Sequence, residues 1–128
     1  SGIPGVRLPQ VDQDVTRMSW FVYVIRVGLD EHSHDRQSAV RDHVMRGFQE
    51  ASIGCRPYFT PIHLQPYYRD AFGFKEGDFP VTELAGRTSI AIPFHNHLTC
   101  EEVDYVAGTL ERALDETRSS KFFAERGL

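Results

Sequence analysis

The sequence predicts one α/β (α+β) domain, a small sheet of about three strands with helices packed on it. Three observations carry this. A run rich in Trp, Phe, Tyr, Val and Ile occupies residues 19–28 and ends at Gly28, the mark of a strand. A shorter apolar run, Ser89-Ile90-Ala91-Ile92, is stopped by Pro93. Thr99 then precedes Glu102 by three, and Val103, Val106, Ala107, Leu110 and Leu114 recur at helical spacing, so a capping box heads an amphipathic helix. A chain of 128 residues removes roughly two-thirds of its unfolded surface from water, which is enough for a core.

Taken in order, the run over residues 19–28 is nearly continuous in hydrophobicity, so it reads as a central strand covered on both faces. A polar loop with Asp30, Glu31, His32 and His34 follows. Val40, Val44, Phe48 and Ala51 then recur at helical spacing, and Gly54 reads as the terminator. Cys55 to Phe59 reads as a short strand, at an edge or a strand end because Pro57 cannot donate to a ladder. Residues 60–65 read as loop. Pro66 suits the first position of a short helix through Tyr67, Tyr68 and Ala71, closed by Gly73, and a second short helix begins at Pro80. The tail, residues 117–128, extends the last helix or packs on a neighbouring chain. No internal repeat or low-complexity segment is present. On pattern alone, a ferredoxin-like ligand-binding domain fits this order of elements equally well.

Composition narrows the function. With 41% hydrophobic and 25% charged residues the chain resembles ordinary globular proteins. A formal net charge of -4 argues against nucleic acid as a partner, because phosphate binding rests on clustered Lys and Arg. The longest apolar stretch, residues 20–25, falls far short of the roughly 20 residues a membrane helix needs. No charged-then-apolar leader opens the chain, and a cytoplasmic protein is expected. Cys55 and Cys100 lack paired spacing, which fits reduced thiols better than a disulfide framework or zinc site, although one disulfide stays open. The opening Ser1-Gly2, with no initiator Met, and the irregular Ile3-Pro4-Gly5 and Leu8-Pro9 read as the lead-in of an excised piece.

Residue types alone carry little chemistry. No Gly-rich phosphate loop and no Gly-x-Ser-x-Gly elbow occurs. His32-x-His34 and His95-x-His97 lie in expected loops without a third ligand at recognisable spacing, so solvated histidines are the default and no metal site is assigned. His63 is different. It sits in a proline-bracketed segment between Tyr58-Phe59 and Tyr67-Tyr68, which holds its ring in a defined, partly apolar place. By residue type it still reads first as a histidine that caps backbone groups or faces solvent.

Two segments change that weighting, Arg56-Pro57-Tyr58-Phe59-Thr60-Pro61-Ile62-His63 and Gly77-Asp78-Phe79-Pro80-Val81-Thr82-Glu83. With the opening strand from Met18 to Val24, the segment Ile90-Ala91-Ile92-Pro93-Phe94, and Leu98-Thr99-x-Glu101-Glu102-Val103-x-Tyr105-Val106, their order and spacing resemble the carboxy-terminal small domain of the DegT/DnrJ/StrS family of sugar aminotransferases. The resemblance covers roughly residues 15–115.

That resemblance implies the type I fold of pyridoxal phosphate enzymes. A large domain there supplies the Schiff-base lysine, the acid at the pyridinium nitrogen and most phosphate contacts. It implies residues 1–14 as the lead-in from a missing large domain, 15–116 as the small domain and 117–128 as a tail. Lys75 and Lys121 are not in the family's Schiff-base context, so no catalytic residue and no cofactor are expected on this chain alone. Pyridoxal phosphate, the large domain and a homodimer belong to the full-length parent. In the parent an amino donor, glutamate or glutamine, would charge the cofactor, which then aminates a keto sugar, with the protein supplying orientation. The product would enter a polysaccharide or antibiotic sugar. The segment around His63 would approach the substrate, with Arg56, Tyr58 and Phe59 shaping the rim; for Arg56 a surface ion pair is an equal reading. The competing reading is a free-standing, non-catalytic ligand-binding or regulatory domain, which predicts a stable monomer without an exposed apolar face. Members of the family also regulate or sense rather than catalyse.

Overall fold

The computed structural model describes residues 2–128. Three strands form an antiparallel sheet: β1 (Tyr23–Arg26), β2 (Arg56–Pro57) and β3 (Ser89–Ile92), in the order β1-β3-β2. The helices are α1 (His34–Glu50), α2 (Pro66–Phe72), α3 (Pro80–Thr88), α4 (Cys100–Thr117) and α5 (Ser120–Ala124), with one turn of 3-10 helix at Ile62–Leu64.

The register pairs Ile25 with Ile90 and Tyr23 with Ile92. Alternation places these four on one face of the sheet. Ile25 and Ile90 join Val40, Val44 and Phe48 of α1 and Leu110, Ala113 and Leu114 of α4 in a single buried cluster. The α1–α4 contact is close because Gly47 lies opposite Ala113, where an added Cβ would stand only 3.3 Å from that of Ala113. The capping box forms as expected. The Glu102 N–H donates to Thr99 Oγ1 at 3.2 Å and the Thr99 N–H donates to Glu102 Oε2 at 2.8 Å. Pro66 opens α2, and Gly73 closes it at φ 73°, a left-handed cap that suits glycine.

Several expectations are corrected. The central strand is β3, flanked on both sides, and β1 is not. The continuous hydrophobicity of residues 19–28 reflects two different environments: Ile25 and Val27 enter the core, whereas Trp20 and Tyr23 run into an aromatic chain ending at Phe94. α1 begins at His34, expected in a loop, and ends at Glu50, before the proposed stop at Gly54; Ser52 takes the positive φ of 58° that breaks the chain direction. The strand expected at residues 55–59 shrinks to Arg56–Pro57, at the sheet edge that Pro57 demands. Residues 62–64, expected as loop, make a 3-10 turn.

The tail does not extend α4. α5 is a separate helix that buries Phe122 and Phe123 in the domain's own core. The Arg126 guanidinium lies 3.8 Å from the Phe122 ring centroid and that of Arg36 4.6 Å from Phe123. At the other end, Ile3, Val6 and Leu8 pack against the core, and Arg7 bridges to Arg26 beside β1. Both cysteines are free, Cys55 buried and Cys100 exposed. Among the described residues no helix is long and apolar enough to cross a membrane.

Candidate functional site

The segment between β2 and β3 builds a lobe of aromatic side chains around one buried polar pair. Pro61 and Pro66 bracket the 3-10 turn, which carries His63 inward, where it is 7% exposed. Glu83, the fourth residue of α3, is 2% exposed. His63 Nε2 lies 3.0 Å from Glu83 Oε1. The Glu83 carboxylate also accepts from the Gly77 N–H, at 2.9 and 3.0 Å to its two oxygens, and from the Phe79 N–H at 3.2 Å. Arg87 Nη1 stands 3.8 Å from Oε2, one turn further along α3. A buried carboxylate needs such donors, and one near a helix start gains from the helix dipole as well.

These contacts set the ionisation of Glu83. Burial is the largest single influence and raises its pKa, but the hydrogen bonds from His63 and from the Phe79 and Gly77 backbone, together with the charge His63 carries when its ring is protonated, outweigh it. The net effect holds the carboxyl below its ordinary value of 4.5, so Glu83 is an anion at neutral pH.

Above the pair opens a recess of about 470 Å³. Tyr58, Phe59, His63, Tyr68, Phe79 and Thr82 are among its lining residues. The His63 ring centroid is 4.8 Å from that of Phe79 and 6.3 Å from that of Phe74, so the imidazole is sandwiched in aromatic surroundings. Gly86 forms part of the wall, and a Cβ there would come within 2.8 Å of Pro61 Cδ. Only glycine lets α3 approach the Pro61 turn this closely. A cavity of similar volume, about 470 Å³, lies between residues 2–8, β1, β3 and α4. Its walls are aliphatic and aromatic and bring no titratable pair together.

Of the four residues proposed from sequence, the structure brings Tyr58, Phe59 and His63 to one recess. The fourth, Arg56, stays on exposed β2, outside the lining, with Nη1 3.4 Å from the Cys55 carbonyl oxygen, and forms no ion pair among the described residues. His63 does not face solvent. Glu83 escaped the sequence reading, although the motif containing it did not; its signal is an acidic residue in the first turn of a proline-initiated helix just after Gly77. Among the described residues no three His, Cys, Asp or Glu side chains group as a metal site, and His34 instead stands 3.8 Å from Glu76. Lys75 and Lys121 are exposed and neither lines the recess.

The chain is similar to part of several known proteins. Spore coat polysaccharide biosynthesis protein SpsC of Bacillus subtilis is 32% identical over 107 residues, which is 81% of this chain and 25% of SpsC. Erythromycin biosynthesis sensory transduction protein EryC1 of Saccharopolyspora erythraea is 30% identical over 110 residues, 85% of this chain and 26% of EryC1. The crystal structure of the aminotransferase TlmJ from Streptoalloteichus hindustanus superposes with a TM-score of 0.72 at 22% identity, covering 92% of this chain and 28% of TlmJ, which establishes a shared fold. The chain thus spans about a quarter of the length of the curated relatives it matches. The model of the DegT/DnrJ/EryC1/StrS aminotransferase family matches residues 1–111, and the chain belongs to that family.

Proposed function

We propose that the chain is the carboxy-terminal small domain of a pyridoxal phosphate-dependent aminotransferase that acts on a keto sugar carried by a nucleotide. In this reading residues 56–63 supply part of the substrate-side wall and the chain alone does not transaminate. The observation that carries it is the recess over His63. Its lining is mostly aromatic and apolar, with the His63 imidazole and the hydroxyl-bearing Tyr58, Tyr68 and Thr82 among it, the combination by which a pocket packs the C–H faces of a sugar and orients its hydroxyls. Tyr58 and Phe59 would give the packing faces and His63 the polar contact. Arg56, outside the recess, would act only at its outer rim, toward the charged nucleotide.

The cofactor, its lysine and the amino donor's contacts would come from the large domain of a longer protein, a cytoplasmic homodimer. Pyridoxal phosphate supplies the electron sink for moving the amino group; this chain's part is to bind and orient the sugar. The exposed rings favour this over a free-standing regulatory domain, which predicts no exposed apolar face. Tyr67 is 71% exposed, Phe72 63% and Val81 80%, and exposed apolar groups that lie together mark an interaction surface. EryC1 is named a sensory transduction protein, which favours a sensory role for some such parents. Expressing the longer reading frame decides between them. A lysine-bearing domain upstream, visible absorption from bound cofactor and amination of a nucleotide-linked keto sugar are expected; a reading frame without that domain would contradict the proposal.

A further inference from the structure

Glu83 has more to do than fill a buried position. An ionised carboxylate has no proton to donate and can only accept hydrogen bonds. Every other neighbour of Glu83 that bonds to it is a donor: the Gly77 and Phe79 N–H groups, with the Arg87 guanidinium close by. The contact at 3.0 Å to His63 Nε2 therefore requires a proton on Nε2. The neutral imidazole carries one proton only, so the other ring nitrogen is then a lone-pair acceptor. Among the described residues His63 Nδ1 has no partner, and it is not one of the sealed, unpartnered atoms of the interior, which are His43 Nδ1 and Thr109 Oγ1. Nδ1 is therefore accessible, and His63 lines the recess.

We propose that Glu83 is a positioning residue that locks neutral His63 in the Nε2–H form, so that Nδ1 presents a hydrogen-bond acceptor to the recess and selects ligands that place a donor there, such as a sugar hydroxyl. This rests on the reading of the recess as a sugar wall, and it specifies the polarity of the contact at His63. A mismatch is costly, because an acceptor placed against Nδ1 would leave two lone pairs facing each other.

The direct test is long-range proton–nitrogen correlation NMR on the ¹⁵N-labelled chain, at a pH where the His63 ring is neutral. The expected pattern is a protonated Nε2 and an unprotonated Nδ1. Glu83→Gln keeps the shape, and its amide oxygen can still accept from Gly77 and Phe79 while its NH2 group donates to Nε2. The proton should then move to Nδ1 and the pattern invert. A wild-type ring protonated on Nδ1 overturns the proposal, and so does a folded Glu83→Gln variant that keeps the wild-type pattern. Should that variant not fold, the wild-type spectrum still decides. In the longer protein, a nucleotide-linked keto sugar is compared with the same compound lacking, one at a time, the hydroxyls next to the keto group. One deletion should raise KM about tenfold, and His63→Ala should abolish that difference while leaving the other deletions unchanged. Equal KM values throughout overturn the selectivity. Failure to aminate any keto sugar, with the expected spectrum, would instead refute the sugar-wall reading and leave the Glu83–His63 lock standing.

Discussion

The core and the aromatic lobe of this small domain obey opposite rules of burial. Between the sheet and helices α1 and α4, Val44, Phe48 and Ile90 are completely sealed and no charged side chain enters. In the lobe formed by residues 58–81 and the start of α3, a histidine and a glutamate are buried while Phe59, Tyr67, Phe72 and Val81 stand in solvent. Hydrophobic burial organises the first region. Hydrogen bonds organise the second, where the Glu83 carboxylate gathers Gly77, Phe79 and His63 and so fixes the loop, the 3-10 turn and α3 to one another. The comparison teaches that the rings of the lobe are positioned without being used up. They remain free to pack against something else, and that is where recognition is to be sought.

Breaking the core gives the largest effect. Phe48→Ala leaves a cavity between α1, α4 and the sheet and should cost about 3–5 kcal/mol, read as a fall in the denaturant midpoint; a loss below about 1 kcal/mol would show that the core tolerates collapse.

The lobe should respond to acid instead. The folded-state pKa of Glu83 lies below its ordinary value of 4.5, so its contribution to stability is complete above that value and is lost as the pH falls through the lower, folded-state value. Unfolding curves of wild type and Glu83→Gln should therefore differ at neutral pH and converge in acid. A gap that widens in acid would have the wrong sign for this account.

Most of the scaffold is legible from local chemistry. Thr99 with Glu102, Pro66 with Gly73, and the Pro93 stop of β3 each encode a boundary in a few neighbouring residues, and the chain obeys all three. Reading fails where distant residues decide. The run over residues 19–28 looks central because Trp20 and Tyr23 are apolar, but their partner is Phe94, some seventy positions later. Gly54 looks like a helix stop, yet Ser52 makes the turn, since Ile53 is drawn into the core directly after it. The site divides in the same way. The aromatic and proline bracket around His63 marks that residue locally, whereas its partner lies twenty positions away and only the fold brings the two together.

The central claim is that the exposed rings over His63 serve recognition and not folding. It is tested most directly by Tyr58→Ala and Phe59→Ala in the longer protein, with stability and keto-sugar kinetics measured on the same samples. Phe59, 56% exposed, should change stability by no more than about 0.5 kcal/mol when truncated, and half-buried Tyr58 by somewhat more. Both should raise the KM for a nucleotide-linked keto sugar about tenfold or more. An unchanged KM together with a large loss of stability would contradict the account, because the lobe would then be a second core and not a wall.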